Sequence, residues 1–271
     1  NRTLMSGNML FRRSDKSGDS LFSKKRYPDI TPDGEDASAL SEDDLYIYGL
    51  MYMSGFRKQM DADKAFRYFE LGAERGSTTC MRNLAVCYCR GEGVEQSEVQ
   101  AAQLFRKSAE LGNIHSIYDL GCFCMDEGFR EMGDKGIEAL FLMGYHDDHF
   151  MFRGMGKYIL HEGMDGFSSA RVWFQRGADM GSAPCMFEIG RMFANGWGVD
   201  IDLEEAFCWF AKAADKGHAR AELNIAKMLL NGDGIEASTE DAKLFFERSS
   251  SHGEAEADLY LRMLAWEASR K

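Results

Sequence analysis

The sequence predicts an all-α fold, a solenoid of about six helix-turn-helix repeats followed by a C-terminal capping helix. Five glycines recur at intervals of 36, 69, 36 and 36 residues, and an alanine stands eleven residues before each of them; the glycines are Gly76, Gly112, Gly181, Gly217 and Gly253. A fixed period of this length is typical of stacked helical units, because one such unit cannot bury its apolar face alone. Neighbouring units must therefore pack on one another.

The period divides the chain into a basic N-terminal arm without repeat, residues 1–40, and an array over residues 41–271. We place the units at 41–76, 77–112, 113–150, 151–181, 182–217 and 218–253, with a capping half unit at 254–271. The 69-residue interval is divided into one regular unit and a shorter, degenerate one. The chain starts at Asn1 rather than methionine, which we interpret as a trimmed or processed end.

Apolar and small residues recur at fixed positions, numbered 1 to 36 within each regular unit. Small residues occupy position 9: Gly49, Ala85, Gly121, Gly190 and Ala226. Large apolar residues occupy positions 28 and 29, and small ones positions 32 and 33. These spacings follow helical periodicity twice in each unit, so they predict two helices. The G-x-G-[V/I] sequences at positions 15–18 predict the end of the first helix, where a left-handed conformation favours glycine.

The half unit at 254–271 has the pattern of a first helix, with Leu261 at position 8. Position 9, however, is Arg262 instead of a small residue. A bulky charged side chain at this position excludes another closely packed helix, so we predict a polar terminal cap.

Charge is distributed unevenly along the chain. The net charge is −12, whereas residues 1–28 contain seven basic and two acidic residues, which leaves −17 for the rest. An acidic array argues against a nucleic-acid surface. No run of 18 apolar residues occurs, so no membrane span is predicted. We expect the arm to lie on the array or on a partner.

The seven cysteines do not recur in register with the repeat, as a secreted disulfide framework would. We therefore predict an intracellular reducing compartment, either the cytoplasm or an organelle such as the mitochondrion. Cys87 and Cys89, like Cys122 and Cys124, are separated by one residue. Neighbours two apart on a helix point in different directions, so packing is favoured over a zinc site.

Residues 61–76, 196–199 and 206–217 carry a family resemblance. The segments DADKAFRYFELGAERG, GWGV and AFCWFAKAADKG look like the Sel-like repeat family, relatives of the tetratricopeptide repeat. The resemblance covers residues 41–271, and it is weakest in the third and fourth units. It implies right-handed stacking of helix pairs and a role as a scaffold or adaptor for protein complexes.

The resemblance also implies that the first helix of each unit lines a concave groove. Positions 3, 6, 10, 13 and 14 then supply candidate protein-binding residues: Tyr46, Met53, Arg82, Arg90, His115, Tyr118, Met125, Phe187, Arg191, Asn195, Lys227 and Asn231. Aromatic residues and arginine often anchor interfaces, and methionine adapts to varied partners. Packing on neighbouring helices is the alternative. We further hypothesise that Arg82, Arg90 and Arg191 form a basic stripe for an acidic segment.

Two features outside the groove are candidates for special roles. Trp197 occupies a loop position where other units have acids, so it is either an exposed anchor or a local plug. His146 and His149 flank two aspartates in the 146–149 cluster and are weak candidates for a metal site. For the 146–149 cluster we prefer another interpretation, in which it marks a break in the helix stack that exposes a recognition patch. His218 and His252 adjoin unit-closing glycines and are expected to cap helices.

No nucleophile–base arrangement, phosphate-binding loop or dinucleotide fingerprint is apparent in the sequence. We therefore predict a non-catalytic protein-interaction scaffold without a cofactor. In the most specific version of this prediction, the protein is an accessory subunit. It stabilises a larger assembly of one or more proteins through the groove and the N-terminal arm. A transient soluble adaptor is the first alternative, and a repeat-type hydrolase is an alternative of another class.

Overall fold

The structure is a computed structural model that describes residues 39–132, 158, 160 and 164–270. This part of the chain forms eleven helices and contains no β-strand: α1 Glu42–Ser54, α2 Ala62–Glu74, α3 Thr78–Arg90, α4 Glu98–Glu110, α5 Ile114–Glu131, α6 Gly166–Asp179, α7 Ala183–Asn195, α8 Leu203–Ala214, α9 Ala219–Asn231, α10 Thr239–Ser251 and α11 Ala255–Ala268. The prediction of an all-α solenoid is confirmed. Nearly all of the predicted N-terminal arm lies outside the described residues.

Polar caps at position 1 of the repeat start the first helices. The side chains of Ser41, Ser77, Asn113 and Ser182 each accept a hydrogen bond from the backbone N–H three residues later. His218 does the same through Nδ1 at α9, as expected for a capping residue. Such caps satisfy a donor that the helix itself leaves unpaired. The predicted unit boundaries at these five residues therefore coincide with helix starts.

Left-handed glycines end four of the first helices. Gly55, Gly91, Gly196 and Gly232 have φ values between 68° and 80°, in the region that glycine enters without a Cβ penalty. In the 113–150 segment this position is Glu127, which has no such freedom. Helix α5 accordingly continues to Glu131 and is five residues longer than α3 or α7.

Helices pair where a small residue of the first helix faces an aromatic ring of the second. A Cβ added to Gly49 would overlap the ring of Phe69, and one added to Gly190 would overlap Phe210. Both contacts join positions 9 and 29 of one unit. The small residue thus allows the helix axes to approach closely, and the aromatic ring fills the space beside the backbone.

The same contact shows that α5 pairs with α6. A Cβ at Gly121 of α5 would overlap the ring of Phe174 of α6, and these two helices pack along their length. Arg176 of α6 also donates to the carbonyl of Glu110 at the end of α4. Arg248 of α10 makes the equivalent bond to Ala214 at the end of α8. Helix α6 therefore occupies the second-helix place of the third repeat.

Helices α5 and α6 pack together although they lie on either side of the predicted division at 150/151. The segments 113–150 and 151–181 each contribute one described helix to a single pair, α5–α6. Five helix pairs and α11 thus account for the described part of the chain. Residues 133–157 fall outside it, including most of the segment between these two helices.

The C-terminal helix differs from the predicted polar cap. Arg262 is exposed, as expected, and Ala257 is buried against the last pair. However, Leu259, Met263 and Trp266 are also exposed, and they follow one another at helical spacing. The prediction of a polar surface is therefore wrong for this stripe of α11, because no further described unit covers it.

Candidate protein-binding groove

The predicted groove residues divide into three groups by exposure. Arg90, His115, Asn195 and Asn231 are exposed. The second group is half-buried and consists of Tyr46, Met53, Arg82, Tyr118, Arg191 and Lys227. Met125 and Phe187 are buried, which contradicts their assignment to an open groove. Phe187 is covered because it packs on Phe210 and stacks on His218, with ring centroids 4.6 Å apart in the latter pair.

Helices α7, α8 and α9 enclose a pocket that brings several of the predicted residues together. Its volume is about 320 Å³, and Arg191, Asn195 and Lys227 line it beside Trp197. Arg191 and Lys227 both occupy position 10 of successive repeats. The pocket therefore arises from equivalent positions of two neighbouring first helices, as the repeat pattern implies.

The floor of the pocket is apolar and its rim is polar. Leu203, Phe210 and Met228 contribute apolar surface. Asn195 donates through Nδ2 to the carbonyl of Arg191 at 2.8 Å, which leaves its side-chain oxygen available as an acceptor. Asn224 also lines the pocket. An apolar floor with a few polar groups around it suits one side chain of a bound peptide together with its adjacent backbone.

Charges at this pocket are balanced by neighbouring acids. Arg191 Nη1 lies 3.1 and 3.2 Å from the two carboxylate oxygens of the buried Glu188. Lys227 Nζ lies 2.7 Å from Glu256 of α11. Asn231 donates to Asp233, another lining residue, at 3.1 Å. The pocket consequently presents polar groups of both signs.

The predicted basic stripe is likewise neutralised along its length. Arg82 makes two bonds to Asp119 of α5, 2.6 Å from Nε and 3.2 Å from Nη2. Burial disfavours the charge of Arg82, but Asp119 more than offsets this and raises the pKa of the guanidinium above its usual value. Arg90 lies 3.8 Å from Glu92. With Arg191 on Glu188, all three arginines have acidic partners, which argues against the hypothesis of a basic stripe for an acidic segment.

Trp197 is a plug and not an exposed anchor. Its exposed fraction is 8%, and its ring meets that of Phe129 edge-on at a centroid distance of 5.0 Å. The guanidinium carbon of Arg191 lies over the Trp197 ring, 5.2 Å from its centroid. The extra turn of α5 supplies Phe129, so the long helix and the tryptophan belong to one local arrangement. The exposed-anchor prediction is wrong for this reason.

The four closely spaced cysteines pack in the core, as predicted. Cys87, Cys89, Cys122 and Cys124 are buried. Burial raises the pKa of the Cys87, Cys89 and Cys124 thiols to about 12 and that of Cys122 well above its usual range. These thiols stay protonated at neutral pH and behave as small apolar side chains.

The remaining predicted sites give little further chemistry. His146 and His149 lie outside the described residues. Within the part of the chain that the structure describes, no group of three His, Cys, Asp or Glu side chains is placed to hold a metal ion. His252 follows α10 and approaches the buried Glu222 of α9 at 2.7 Å through Nδ1. It therefore ties two helices together in addition to its place at a helix end.

Sequence reasoning missed several of the pocket residues. Asn224 and Asp233 lie at positions 7 and 16, whereas the groove was assigned to positions 3, 6, 10, 13 and 14. Leu203 and Phe210 come from a second helix, α8, which was not expected to contribute. The contribution of Phe210 to the pocket floor could have been inferred. It occupies position 29, and the repeat pattern places that ring against position 9 of the first helix.

Comparison with known proteins identifies the class. The Sel1 repeat model matches residues 43–77, 78–113, 137–182, 183–218 and 219–254. These segments make up well over half of the chain, so the protein belongs to the Sel1 repeat family. It is an α-solenoid of the protein-binding scaffold type. The resemblance deduced from the sequence is thereby confirmed.

Two solved structures share the fold. A Sel1 repeat protein from Oxalobacter formigenes matches with a TM-score of 0.61 at 22% identity, over 86% of this chain and 78% of that one. The antigen c5321 of uropathogenic Escherichia coli matches with a TM-score of 0.59 at 22% identity, over 81% of this chain and 40% of that one. At this identity the similarity concerns the fold alone.

Two curated relatives share part of the sequence. An exopolysaccharide production negative regulator of Rhizobium meliloti is 26% identical over 163 residues, 60% of this chain and 52% of the relative. A DAP3-binding cell death enhancer of Rattus norvegicus is 32% identical over 76 residues, 28% of this chain and 14% of the relative. The chain thus spans about half or less of the relatives it matches. Among the described residues, no helix is long and apolar enough to cross a membrane.

Proposed function

We propose that the protein is a non-catalytic scaffold whose groove holds a segment of a partner protein, as a stable accessory subunit of a larger assembly. The observation that carries this proposal is the pocket between α7, α8 and α9. Equivalent residues of two successive repeats, Arg191 and Lys227, line it above an apolar floor. A repeating surface of this kind suits an extended or helical segment that crosses several units.

The bound segment would place one apolar side chain on the floor formed by Phe210 and Met228. Its backbone amides would pair with Asn195 and Asn224, whose side chains combine donors and acceptors. The exposed Arg90, His115 and Asn231 offer further polar contacts along the same succession of first helices. Half-buried Tyr46, Met53 and Tyr118 would extend the apolar part of the contact. The N-terminal arm would provide a second region of contact within the assembly.

Other information is consistent with a protein partner. One relative is named for binding DAP3, which supports the use of such repeats in protein binding. The acidic array disfavours nucleic acid as the ligand. None of the seven cysteines, all of them among the described residues, is part of a disulfide, which supports residence in a reducing compartment of the cell.

Filling the pocket tests the proposal. Ala194 is half-buried and lines the pocket, so Ala194→Trp would occupy it while retaining the native side chains. Ala211 of α8 is also half-buried but does not line the pocket, and Ala211→Trp is the matched control. Affinity purification of each full chain from its native cells, followed by mass spectrometry, should show partner loss with Ala194→Trp alone.

The salt dependence distinguishes the two binding roles. A stable accessory subunit retains its partners in high salt, because the desolvated core of an interface is little affected by screening. Partners that wash away with salt would contradict the accessory role and favour a transient adaptor. Recovery of the same partners with Ala194→Trp would overturn the assignment of the pocket itself.

A further inference from the structure

One face of each first helix after α1 packs on the unit before it. This face comprises positions 4, 7 and 11, which follow one another at helical spacing. At position 4, all first helices after α1 have a small side chain of zero exposure: Cys80, Ser116, Cys185, Ala221 and Ala257. Position 7 is buried or half-buried in the same helices. The repeat therefore reserves this face for contact with a preceding element.

Helix α1 presents this face with no described unit before it. Asp44 stands at position 4 and is exposed, Ile47 at position 7 is 51% exposed, and Met51 at position 11 is half-buried. Phe56, in the loop after α1, is 63% exposed. Its counterpart Trp197 is 8% exposed because it inserts against Phe129 of the preceding repeat. We call Ile47, Met51 and Phe56 the N-terminal edge.

An acidic turn borders the N-terminal edge. Glu42, Asp43 and Asp44 form the first turn of α1, and all three are exposed. Asp44 forms a capping box with Ser41, and hydrogen bonds from the Ser41 side chain and backbone lower the pKa of its carboxyl. The capping box explains Asp44, but it gives no reason for an exposed isoleucine and phenylalanine nearby.

The chain immediately before α1 has the complementary chemistry. Leu21 and Phe22 are followed by Lys24, Lys25 and Arg26, two apolar residues next to three positive charges. Ser41 lies fifteen positions after Arg26, and a chain of this length can span up to about 50 Å. Between them lies Pro32-Asp33-Gly34, a sequence typical of turns that reverse the chain. The segment can therefore return to α1.

We propose that residues 21–26 of the same chain dock on the N-terminal edge. Leu21 and Phe22 take the place of a preceding repeat against Ile47, Met51 and Phe56. Lys24, Lys25 and Arg26 pair with the acidic turn of Glu42 and Asp43. The basic segment thus closes the exposed end of the array. This inference stands independently of the partner bound in the groove.

Hydrogen exchange of the full chain tests the docking directly. Backbone amides of residues 21–26 should exchange about tenfold or more slowly than in the free peptide of the same sequence. The double variant Ile47→Ser/Phe56→Ser should abolish that protection. The control is Leu259→Ser/Trp266→Ser on α11, whose two side chains are 57% and 60% exposed. It replaces two exposed apolar side chains at the other end of the described array and should leave the protection unchanged.

A charge exchange provides a second measurement that leaves the apolar contacts intact. Glu42→Lys/Asp43→Lys should reduce the protection of residues 21–26, and adding Lys24→Glu/Lys25→Glu should restore it. The capping residues Ser41 and Asp44 remain unchanged, so α1 keeps its start. Far-UV circular dichroism of each variant checks that the helices are retained.

Three results would overturn the proposal. The first is exchange of residues 21–26 at free-peptide rates in the unaltered chain. The second is protection that survives both the serine variant and the charge reversal. The third is protection that falls on dilution together with a dimer mass in sedimentation, since the edge would then be covered by another copy.

Discussion

The third and fourth helix pairs of the array, α5–α6 and α7–α8, form the same contacts from differently organised sequence. Helices α7 and α8 are joined by a short loop, whereas 34 residues separate α5 from α6. In both pairs a glycine at position 9 lies against an aromatic ring at position 29, Gly121 against Phe174 and Gly190 against Phe210. Helices therefore pair where this local contact forms, even when they are far apart along the chain.

The long interval along the chain between α5 and α6 is compatible with their pairing for a thermodynamic reason. The entropic cost of closing a loop grows only with the logarithm of its length, about 0.6 kcal/mol for each doubling. A contact between a glycine and a buried aromatic ring contributes several times more. The second difference is Glu127 in place of a capping glycine, which lengthens α5 and brings Phe129 to Trp197.

The largest expected effects come from the two aromatic rings. Phe174→Ala and Phe210→Ala should each lower the free energy of unfolding by about 3–5 kcal/mol, because both rings are buried beside a glycine backbone. Urea titration monitored by circular dichroism measures the two variants side by side. A loss at Phe210 without a comparable one at Phe174 would show that α5 and α6 are not an equivalent pair.

A smaller pair of effects distinguishes the buried tryptophan from the exposed one. Trp197→Ala removes the contact between the two pairs and should cost about 3 kcal/mol. Trp266→Ala on α11, where the side chain is 60% exposed, should change stability by less than about 0.5 kcal/mol. Thermal unfolding of both variants decides the matter. Equal losses would contradict the assignment of Trp197 as a plug between repeats.

The smallest effect concerns the helix caps. Asn113 and Ser182 cap α5 and α7 without titrating near neutral pH, but α9 is capped by His218 through Nδ1. Burial and then the charge of Arg220 lower the pKa of His218 below 6.5. The cap is therefore intact above pH 6.5, and its contribution of about 1 kcal/mol is lost as the pH falls below that value.

His218→Ser should consequently make the protein less sensitive to acid. Serine caps a helix at every pH, so the difference in melting temperature between pH 7.5 and pH 5 should be smaller for the variant. The variant also loses the stacking of His218 on Phe187. Because this loss acts at both pH values, it largely cancels in the difference between the two melting temperatures. An identical pH dependence in the two proteins would show that the cap does not titrate in this range.

Much of the fold follows from the sequence because each position of the repeat keeps the same structural role, even where the residue type changes. Position 1 predicts the helix starts, and small residues at position 9 predict the close helix contacts. The pairing of α5 with α6 did not follow, since a 69-residue interval can be divided as two short units or as one interrupted unit. The pairing is seen only in three dimensions, in the packing of α5 on α6, the contact of Gly121 with Phe174 and the bond from Arg176 to Glu110.

The candidate site was predictable in part. Arg191, Asn195 and Lys227 were identified from their positions, and the structure brings them to one pocket. Met125 and Phe187 were assigned wrongly because a helical position facing the groove becomes buried where the neighbouring helix lies close. The acids that neutralise Arg82 and Arg191 were overlooked, since one of them comes from another unit and the other from the preceding turn.

Excision of the segment between α5 and α6 tests the interrupted repeat most directly. Gly166 donates to Glu131 at 3.0 Å, so the end of α5 and the start of α6 lie together and a short Gly-Ser linker can replace residues 133–164. We expect an array that still unfolds cooperatively, with a loss of up to about 2 kcal/mol, because the excision removes the bond from Arg106 to the Tyr158 carbonyl and the contact of Leu160 with the core. Loss of cooperative unfolding, or destabilisation by more than about 3 kcal/mol, would contradict the pairing of α5 with α6 as one repeat.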